Sequence, residues 1–467
     1  MLWKLILVRH VLSRIFPERS ILINFVVNLL YYDVNMLRKL LMMAALLIAA
    51  VQSAAAQTGT WSGKLEVQGM QLTLVFHLDD DNPTIDSPDQ GAKGIPAQIE
   101  RAAMGKIIVT VPSLAARYEG IHLMNRIVGT FSQMGMSFPL TLNPGEDRPA
   151  RPQTPQGPFS YATEEVSFKN GGIVLNGTLT LPEGYTKETP ALIMVTGSGI
   201  QNRDEELFEH KPFAVIADAF ARAGVATLRY DDRGFNGYEG DLNACTTEDF
   251  KTDAEAALNL LKERFENVGI IGHSEGGTIA MMLAAEQKAD FIISLAGMVI
   301  SGAETLIDQN KAALLEAGFT QEASDTYCKL LEKTFEASVN GTPLPDTDDY
   351  DLPEALEQNY YSVLSQLQIP YMRYFLALDM RPLLGRITCP LLALNGTMDI
   401  QVDCTKNLDT IRKHIAHNVK TQIEKVEGVN HLFQHCQSGT VAEYRTIEET
   451  ISPEVLDIMI KWISELK

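Results

Sequence analysis

The chain has 467 residues, more than a single typical domain, with 45% hydrophobic and 21% charged residues and no long polar low-complexity tract; it is a folded protein able to bury a sizeable core. Thirty-nine basic against 59 acidic side chains give a net charge of −20, which repels phosphate backbones and anionic lipid and argues against nucleic acid as a partner. A neutral or cationic small-molecule substrate fits that charge, and plain solubility explains it equally well.

At the N-terminus, Met36 is followed by Arg38 and Lys39, an apolar run over 40–51, and Ala54-Ala55-Ala56 before Gln57. Basic, apolar and small-residue segments in that order form a secretory signal peptide over 36–56, too short and wrongly flanked for a stable membrane span. The expected product is exported, periplasmic or extracellular, with a mature start near Gln57. Residues 1–35 contain a second apolar stretch over 21–32, broken by Asn24 and Asn28. They read as an upstream extension ahead of a start at Met36, with an anchor as the alternative.

Residues 57–142 carry short alternating runs bounded by turn residues, among them 64–67, 72–77, 106–111 and 126–131, and form a small all-β domain. The segments Gly59–Gly63 and Gly129–Gln133 echo each other faintly. Prolines 144, 149, 152, 155 and 158 mark 143–158 as an extended, semi-rigid linker rather than a packed element.

Over 159–467 apolar strands alternate with amphipathic helices, the pattern of a mostly parallel, doubly wound sheet. The expected strands are 191–196, 225–230, 268–272, 291–295, 390–395 and 421–426, and the helices 213–223, 247–265, 277–286, 403–416 and 453–466. A stretch over about 297–388 lacks strand-like runs and reads as a helical insertion, with helices near 303–317, 321–337 and 353–366, that caps the strand ends. Five cysteines, 245, 328, 389, 404 and 436, leave at least one unpaired in an oxidising compartment. Cys404 and Cys436 are the candidate pair, and spacing leaves their bridging open.

Val268 through Gly277 is a buried strand running through Gly272-His273-Ser274-Glu275-Gly276 into a helix, a nucleophile elbow that projects the Ser274 hydroxyl from the sheet. A serine hydroxyl needs a general base, and the base needs an acid to set its tautomer, in the chain order Ser, acid, His. Asp399, in the loop after the next-to-last strand, is the acid; its rival Asp403 opens the following helix and reads as a cap. His431, in the loop after the last strand, is the base; His435 is its competitor, and His273, His414 and His417 read as surface or packing histidines.

Oxyanion donors are expected from the backbone amide of Glu275 and from Ser198 or Gly199 in Thr196-Gly197-Ser198-Gly199, and the Glu275 side chain suits a first helical turn. The charged loops over 201–205 and 230–234 read as an ion-paired scaffold for that oxyanion segment. Tyr371, Tyr374, Phe375 and Leu376 of the insertion are candidates for the acyl side of a substrate pocket, or else cap core. No phosphate loop, metal cluster or dinucleotide fingerprint appears, so no cofactor is expected.

With GSGxQNRD at 197–204, YDDRG at 230–234, GHSEGG at 272–277, GxxD at 396–399 and NHLFQ at 430–434, followed by EYxxIEETISPEVL, the chain from Ala162 onward resembles bacterial α/β-hydrolase carboxylesterases labelled serine aminopeptidase-like. That resemblance implies ester hydrolysis through an acyl-enzyme, usually on short acyl chains, with the triad on Ser274, Asp399 and His431. Thr196 stands where many relatives of the wider fold carry histidine. The β domain resembles N-terminal domains of exported relatives. Two alternatives carry other expectations: a peptidase with the same triad, needing an acidic subsite for an amine at Glu205 or Asp232, and a non-catalytic glycan-binding or scaffolding protein.

Overall fold

A computed structural model describes residues 58–466 apart from 68–69, 80, 89–91, 103–104, 134, 147–149, 236, 238–239 and 418. The readings of 1–35 as an extension, of 36–56 as a signal peptide and of Gln57 as the mature start lie outside the described residues. The chain divides into two units, Met1–Arg148 and Pro149–Lys467.

The first unit is a nine-stranded antiparallel sheet: β1 (Thr60–Val67), β2 (Met70–His77), β3 (Thr84–Ser87), β4 (Ala92–Pro96), β5 (Gln98–Ala102), β6 (Lys106–Val111), β7 (Ala116–Leu123), β8 (Arg126–Gln133) and β9 (Met136–Pro144). Their order is β4-β3-β2-β1-β9-β8-β7-β6-β5. The end strands β4 and β5 bury no side chain fully, so they carry little of the alternation by which β1, β2, β6 and β8 are legible. The two echoing segments feed β1 and β8, which flank β9 and bury the aromatic of each copy, Trp61 and Phe131. The core also holds Phe76 and Tyr118, whose hydroxyl lies 3.1 Å from the Ile127 carbonyl and 3.2 Å from that of Leu140.

The second unit has an eight-stranded sheet: β10 (Ala162–Asn170), β11 (Ile173–Leu181), β12 (Ala191–Val195), β13 (Ala226–Tyr230), β14 (Val268–His273), β15 (Ile292–Leu295), β16 (Leu391–Gly396) and β17 (Thr421–Val426). The order is β10-β11-β13-β12-β14-β15-β16-β17. β12 to β17 pair in parallel, and β10, β11 and β13 add antiparallel pairings at one end. The antiparallel pair escapes the sequence pattern because β10, ATEEVSFKN, is largely polar and mostly exposed.

Helices α1 (Pro212–Arg222) and α11 (Pro453–Ser464) cover one face through Phe213, Ile216, Phe220, Val455 and Trp462. On the other face lie α2 (Thr247–Lys262), α3 (Glu275–Ala285) and α9 (Cys404–His414). Burial on both faces explains why β12 and β14 read as continuous apolar runs. Between β12 and β14 the strand order reverses direction, and crevices that bind ligands in such sheets form outside the carboxyl ends at that point.

Between β15 and β16 the chain forms α4 (Gly302–Glu316), α5 (Gln321–Asn340), α6 (Glu354–Gln366), α7 (Pro370–Ala377) and α8 (Arg381–Leu384). Tyr327, Leu330, Phe335 and Tyr360 give this insertion a hydrophobic core of its own. The short α7 is absent from the sequence reading, and it carries the aromatic residues assigned there to a pocket.

The proline-rich linker reading needs correction at its second half. The Arg151 guanidinium donates to the carbonyls of Phe208, Arg445 and Ile447, and Gln153 bonds Thr450 and Ile451, so this stretch packs into the second unit. These carbonyls have no ladder partner, and an extended segment rich in polar side chains satisfies them. The bridge between Cys404 and Cys436 that spacing leaves open is not made, since all five cysteines are free. Each of the two thiols lies 3.7 Å from a backbone carbonyl instead, Cys404 at Asn395 and Cys436 at Gly428.

The same C-terminal segment, which includes α10 (Val441–Tyr444), is pinned by His210, fully buried, with Nε2 2.8 Å from the Tyr444 carbonyl and Nδ1 3.0 Å from the Thr450 hydroxyl. A carbonyl only accepts, so Nε2 carries the proton and Nδ1 accepts from Thr450, the pattern of a neutral ring. Burial lowers its pKa to about 4. A depressed histidine pKa contributes stability that is complete above the unfolded value, near 6.5, and is lost as pH falls towards 4. H210N should therefore be less stable than the parent at pH 7, with the gap in unfolding free energy from urea titrations shrinking by roughly 3 kcal/mol between pH 7 and pH 4. A constant gap would exclude His210 as the titrating group.

Candidate active site

Strand β14 is buried along its whole length, and the chain must reverse into α3 immediately after it. Ser274 makes that reversal with φ 52° and ψ −118°, a conformation that non-glycine residues adopt only when the surroundings enforce it. Its amide donates to the Leu295 carbonyl at 2.8 Å. A Cβ on Gly272 would lie 2.0 Å from the Gly276 carbonyl oxygen, and one on Gly276 would lie 2.1 Å from that of Val195. Side chains at either position would therefore push the helix off the sheet.

Asp399 follows β16, and its Oδ1 accepts the amides of Gln401 at 2.8 Å and Val402 at 2.9 Å. Its Oδ2 accepts from His431 Nδ1 at 2.7 Å, with both residues buried. Donation from Nδ1 leaves Nε2 of a neutral ring as an acceptor, the tautomer a general base requires. Asn430 shapes the loop around His431: its Oδ1 accepts the amides of Leu432 and Gln434, each at 3.0 Å. Asp403 instead caps α9, accepting the Lys406 amide at 2.7 Å. His435 is exposed and bonds Glu449 at 2.9 Å, while His414 lies in the last turn of α9.

Ser274 and His431 line one cavity of about 400 Å3, with Glu205, His273, Glu275 and Tyr371 among its other walls. An imidazole that accepts a proton, oriented by a carboxylate, and a serine hydroxyl held at an elbow in the same cavity form the set required for nucleophilic acyl transfer.

The loop after β12 comes close to the elbow: a Cβ on Gly197 would sit 3.2 Å from Ser274 Cβ. The Gly197 amide is already bound to Glu205 Oε1 at 2.7 Å. That leaves Ser198, a wall of the main cavity, as the favoured second oxyanion donor beside the Glu275 amide, while Gly199 borders a separate, much smaller cavity. Thr196 donates its hydroxyl to the Asp232 carboxylate at 2.9 Å, and the Gln201 amide donates to the same group at 2.9 Å. Burial raises the Asp232 pKa to about 7 against those two donors, helped by the nearby charges of Glu205 and Asp253. Arg203 bonds Asp231 through Nη2 at 2.7 Å and Glu165 through Nη1 at 2.7 Å, and Arg229 bonds Asp204. These contacts tie the 201–205 and 230–234 loops together behind the oxyanion segment.

Three side chains stand differently from the sequence reading. Tyr371 is not a purely apolar wall: its hydroxyl donates to Glu275 Oε2 at 2.6 Å, and burial, the adjacent Glu275 charge and that bond push its ionisation well up. Phe375 does line the cavity, whereas Tyr374 is not among its walls and donates to Glu248 at 3.1 Å, and Leu376 packs in the core of the insertion. All four lie on the short α7, and a helix turns neighbouring residues to different faces. Glu275 is buried with Oε1 accepting from Thr247 at 2.7 Å, so its side chain links α3, α2 and the insertion.

His273 and Glu205 are the residues that sequence reasoning missed. The sequence reads His273 as a surface or packing histidine and Glu205 as part of the ion-paired scaffold, or as an amine subsite under the peptidase alternative. Instead His273 Nδ1 lies 2.9 Å from Glu205 Oε1, and its Nε2 lies 2.9 Å from the His431 carbonyl. Glu205 is neither solvated nor unpaired, and the Gly197 amide and His273 share its Oε1. Position 273 inside the elbow was visible in the sequence, but its partner lies 68 residues away.

A family profile described as serine aminopeptidase, S33, matches residues 209–435, a span that includes Ser274, Asp399 and His431. The chain is 26% identical over 303 residues to the protein named esterase EstD of Thermotoga maritima, covering 64% of this chain and 68% of that one. Among solved structures, it is similar to Est1E from Butyrivibrio proteoclasticus at 16% identity and a TM-score of 0.38, covering 64% of this chain and 98% of that one. It is also similar to a proline iminopeptidase of Mycobacterium smegmatis at 14% identity and a TM-score of 0.38, covering 65% and 98%.

The two candidate acids are separable by experiment. D399N should lower kcat by about 10³–10⁴-fold with little change in stability, through loss of the oriented tautomer. D403A should keep activity and lose about 1 kcal/mol of stability as a helix cap. Steady-state kinetics with urea midpoints checks both, and the reverse pattern would exchange the two assignments.

Proposed function

Proceeding from a second unit that belongs to the serine aminopeptidase S33 hydrolases and has the α/β-hydrolase fold, we propose that this protein is an exported serine carboxylesterase acting on neutral esters with short acyl chains. The observation that carries the reading is the buried 2.7 Å bond from His431 to Asp399 in the wall of the cavity that holds the Ser274 elbow. His431 Nε2 takes the Ser274 proton as Oγ attacks the ester carbonyl. The amides of Glu275 and Ser198 receive the developing oxyanion. Collapse of the tetrahedral intermediate expels the alcohol, which takes the proton from His431, and water enters by the same proton path to release the acid.

The substrate class follows from the cavity wall. Among the described residues no lysine or arginine lines it, so an anionic substrate finds no counter-charge. Its two carboxylates are already engaged, Glu205 by Gly197 and His273, and Glu275 by Thr247 and Tyr371. Asp232, the other acid considered as an amine subsite, is bound to Thr196 and Gln201. That use of every acid favours an ester over an aminoacyl substrate. Met298, Leu306, Met372 and Phe375 offer an apolar side, and a cavity of about 400 Å3 suits a compact acyl group.

On p-nitrophenyl acetate and butyrate the enzyme should show kcat/KM at least about 100-fold above that for aminoacyl p-nitroanilides, a gap of the size that unpaired or mispaired polar groups impose. Preference for the anilides would replace this reading with a peptidase. S274A should abolish turnover and labelling by a fluorophosphonate probe, and retention of either would exclude Ser274 as the nucleophile. Export is supported by the basic, apolar and small-residue order of 36–56, and N-terminal sequencing of the secreted product should begin at Gln57.

A further inference from the structure

We propose that His273, the residue before Ser274, is a positioning residue: as an imidazolium held by the Glu205 carboxylate, it fixes the main chain of His431 and the oxyanion loop in one mutual register. The inference rests on the reading of Ser274, Asp399 and His431 as the reacting groups.

The protonation follows from the acceptors. Nε2 of His273 lies 2.9 Å from the His431 carbonyl oxygen, which can only accept. Nδ1 lies 2.9 Å from Glu205 Oε1, the oxygen that also accepts the Gly197 amide at 2.7 Å. Both ring nitrogens therefore donate, and a ring that donates twice is charged. The groups facing it are Glu205 from the loop after β12 and His431 from the loop after β17, with Asp399 beyond. Burial opposes the charge, but the field and hydrogen bond of Glu205, the His431 carbonyl and the field of Asp399 outweigh it and raise the pKa.

One carboxylate oxygen thus joins three elements: the oxyanion loop through Gly197, the end of β14 through His273 and, through that ring, the loop of His431. Glu205 itself is held at φ 53°, a left-handed conformation maintained by its surroundings. His431 is consequently fixed at two points, its Nδ1 by Asp399 and its carbonyl by His273, with the two histidine rings 4.7 Å apart. Removing His273 frees the second point without touching a reacting atom.

In the full-length protein with p-nitrophenyl acetate, H273A should lower kcat by about 10–100-fold and leave KM within about threefold, the scale on which a small misplacement of a catalytic group is felt. H273Q keeps an N–H for the His431 carbonyl and should recover at least about threefold of that loss. Nitrogen NMR of the histidine-labelled protein should show one ring doubly protonated at pH 8, where ordinary histidines are neutral, and that signal should vanish in H273Q and E205Q. Wild-type kcat in H273A, no recovery in H273Q, or no doubly protonated ring would each overturn the proposal. If H273A does not fold, E205Q carries the test, since its amide oxygen still accepts from Gly197 but bears no charge. The same selective fall in kcat supports the proposal, and an unchanged kcat overturns it. Failure of the esterase reading is visible separately, as turnover retained in S274A with the NMR signature intact.

Discussion

The rest of the site depends on one steric constraint, the near contact of backbone with backbone at the elbow. The Gly272 and Gly276 positions leave only about the width of a hydrogen between β14, α3 and the end of β12, so α3 seats flush on the sheet and Ser274 has no choice but the left-handed turn. Strain of that kind costs of order 1–3 kcal/mol and persists only where the surroundings over-determine it. Here all eleven residues of α3 are buried, which supplies that constraint. Because the helix sits so close, the loop after β12 passes within contact of Ser274 at Gly197.

Around that point the charges are buried in a consistent way. Asp399, Glu205, Asp232 and Glu275 each sit below the surface, and each is satisfied by amides, hydroxyls or an imidazole. A buried carboxylate left without partners is costly, and short, fixed donors satisfy it without the entropy of ordering a long basic side chain. The result is a polar framework whose acceptors are used internally. The cavity wall then combines these engaged carboxylates with apolar groups and with Ser274 and His431.

The insertion between β15 and β16 is tied to this framework at several points, among them Tyr374 to Glu248, Gln309 to the Gln401 carbonyl and Asp308 to Lys406. Tyr371 reaches from α7 to Glu275, the residue that follows Ser274, while the insertion keeps its own apolar core around Tyr327 and Tyr360. The roof of the cavity therefore joins a core of its own to the core beside the sheet, which Phe375, Leu378, Met380 and Leu384 enter. The β-sheet unit has its own core around Trp61, Phe76 and Tyr118.

Much of this was legible in the chain itself. The parallel strands β12, β14, β15 and β16 announce themselves because burial on both faces demands largely apolar runs, and the elbow glycines because only a residue without Cβ fits there. Asp399 and His431 follow from the chain order that strand ends impose. What tertiary structure alone decided is pairing across distance. Nothing local connects Glu205 to His273, 68 residues on, or Tyr371 to Glu275, 96 residues back, and Arg151 meets the carbonyls of Arg445 and Ile447 almost 300 residues later. Polar β4, β5 and β10 likewise became strands only because neighbours offered hydrogen bonds at a sheet's end. Periodicity encodes which face of an element is buried, and so it reaches the core. A hydrogen bond between two loops depends on where the whole sheet places them, and no window of sequence contains that.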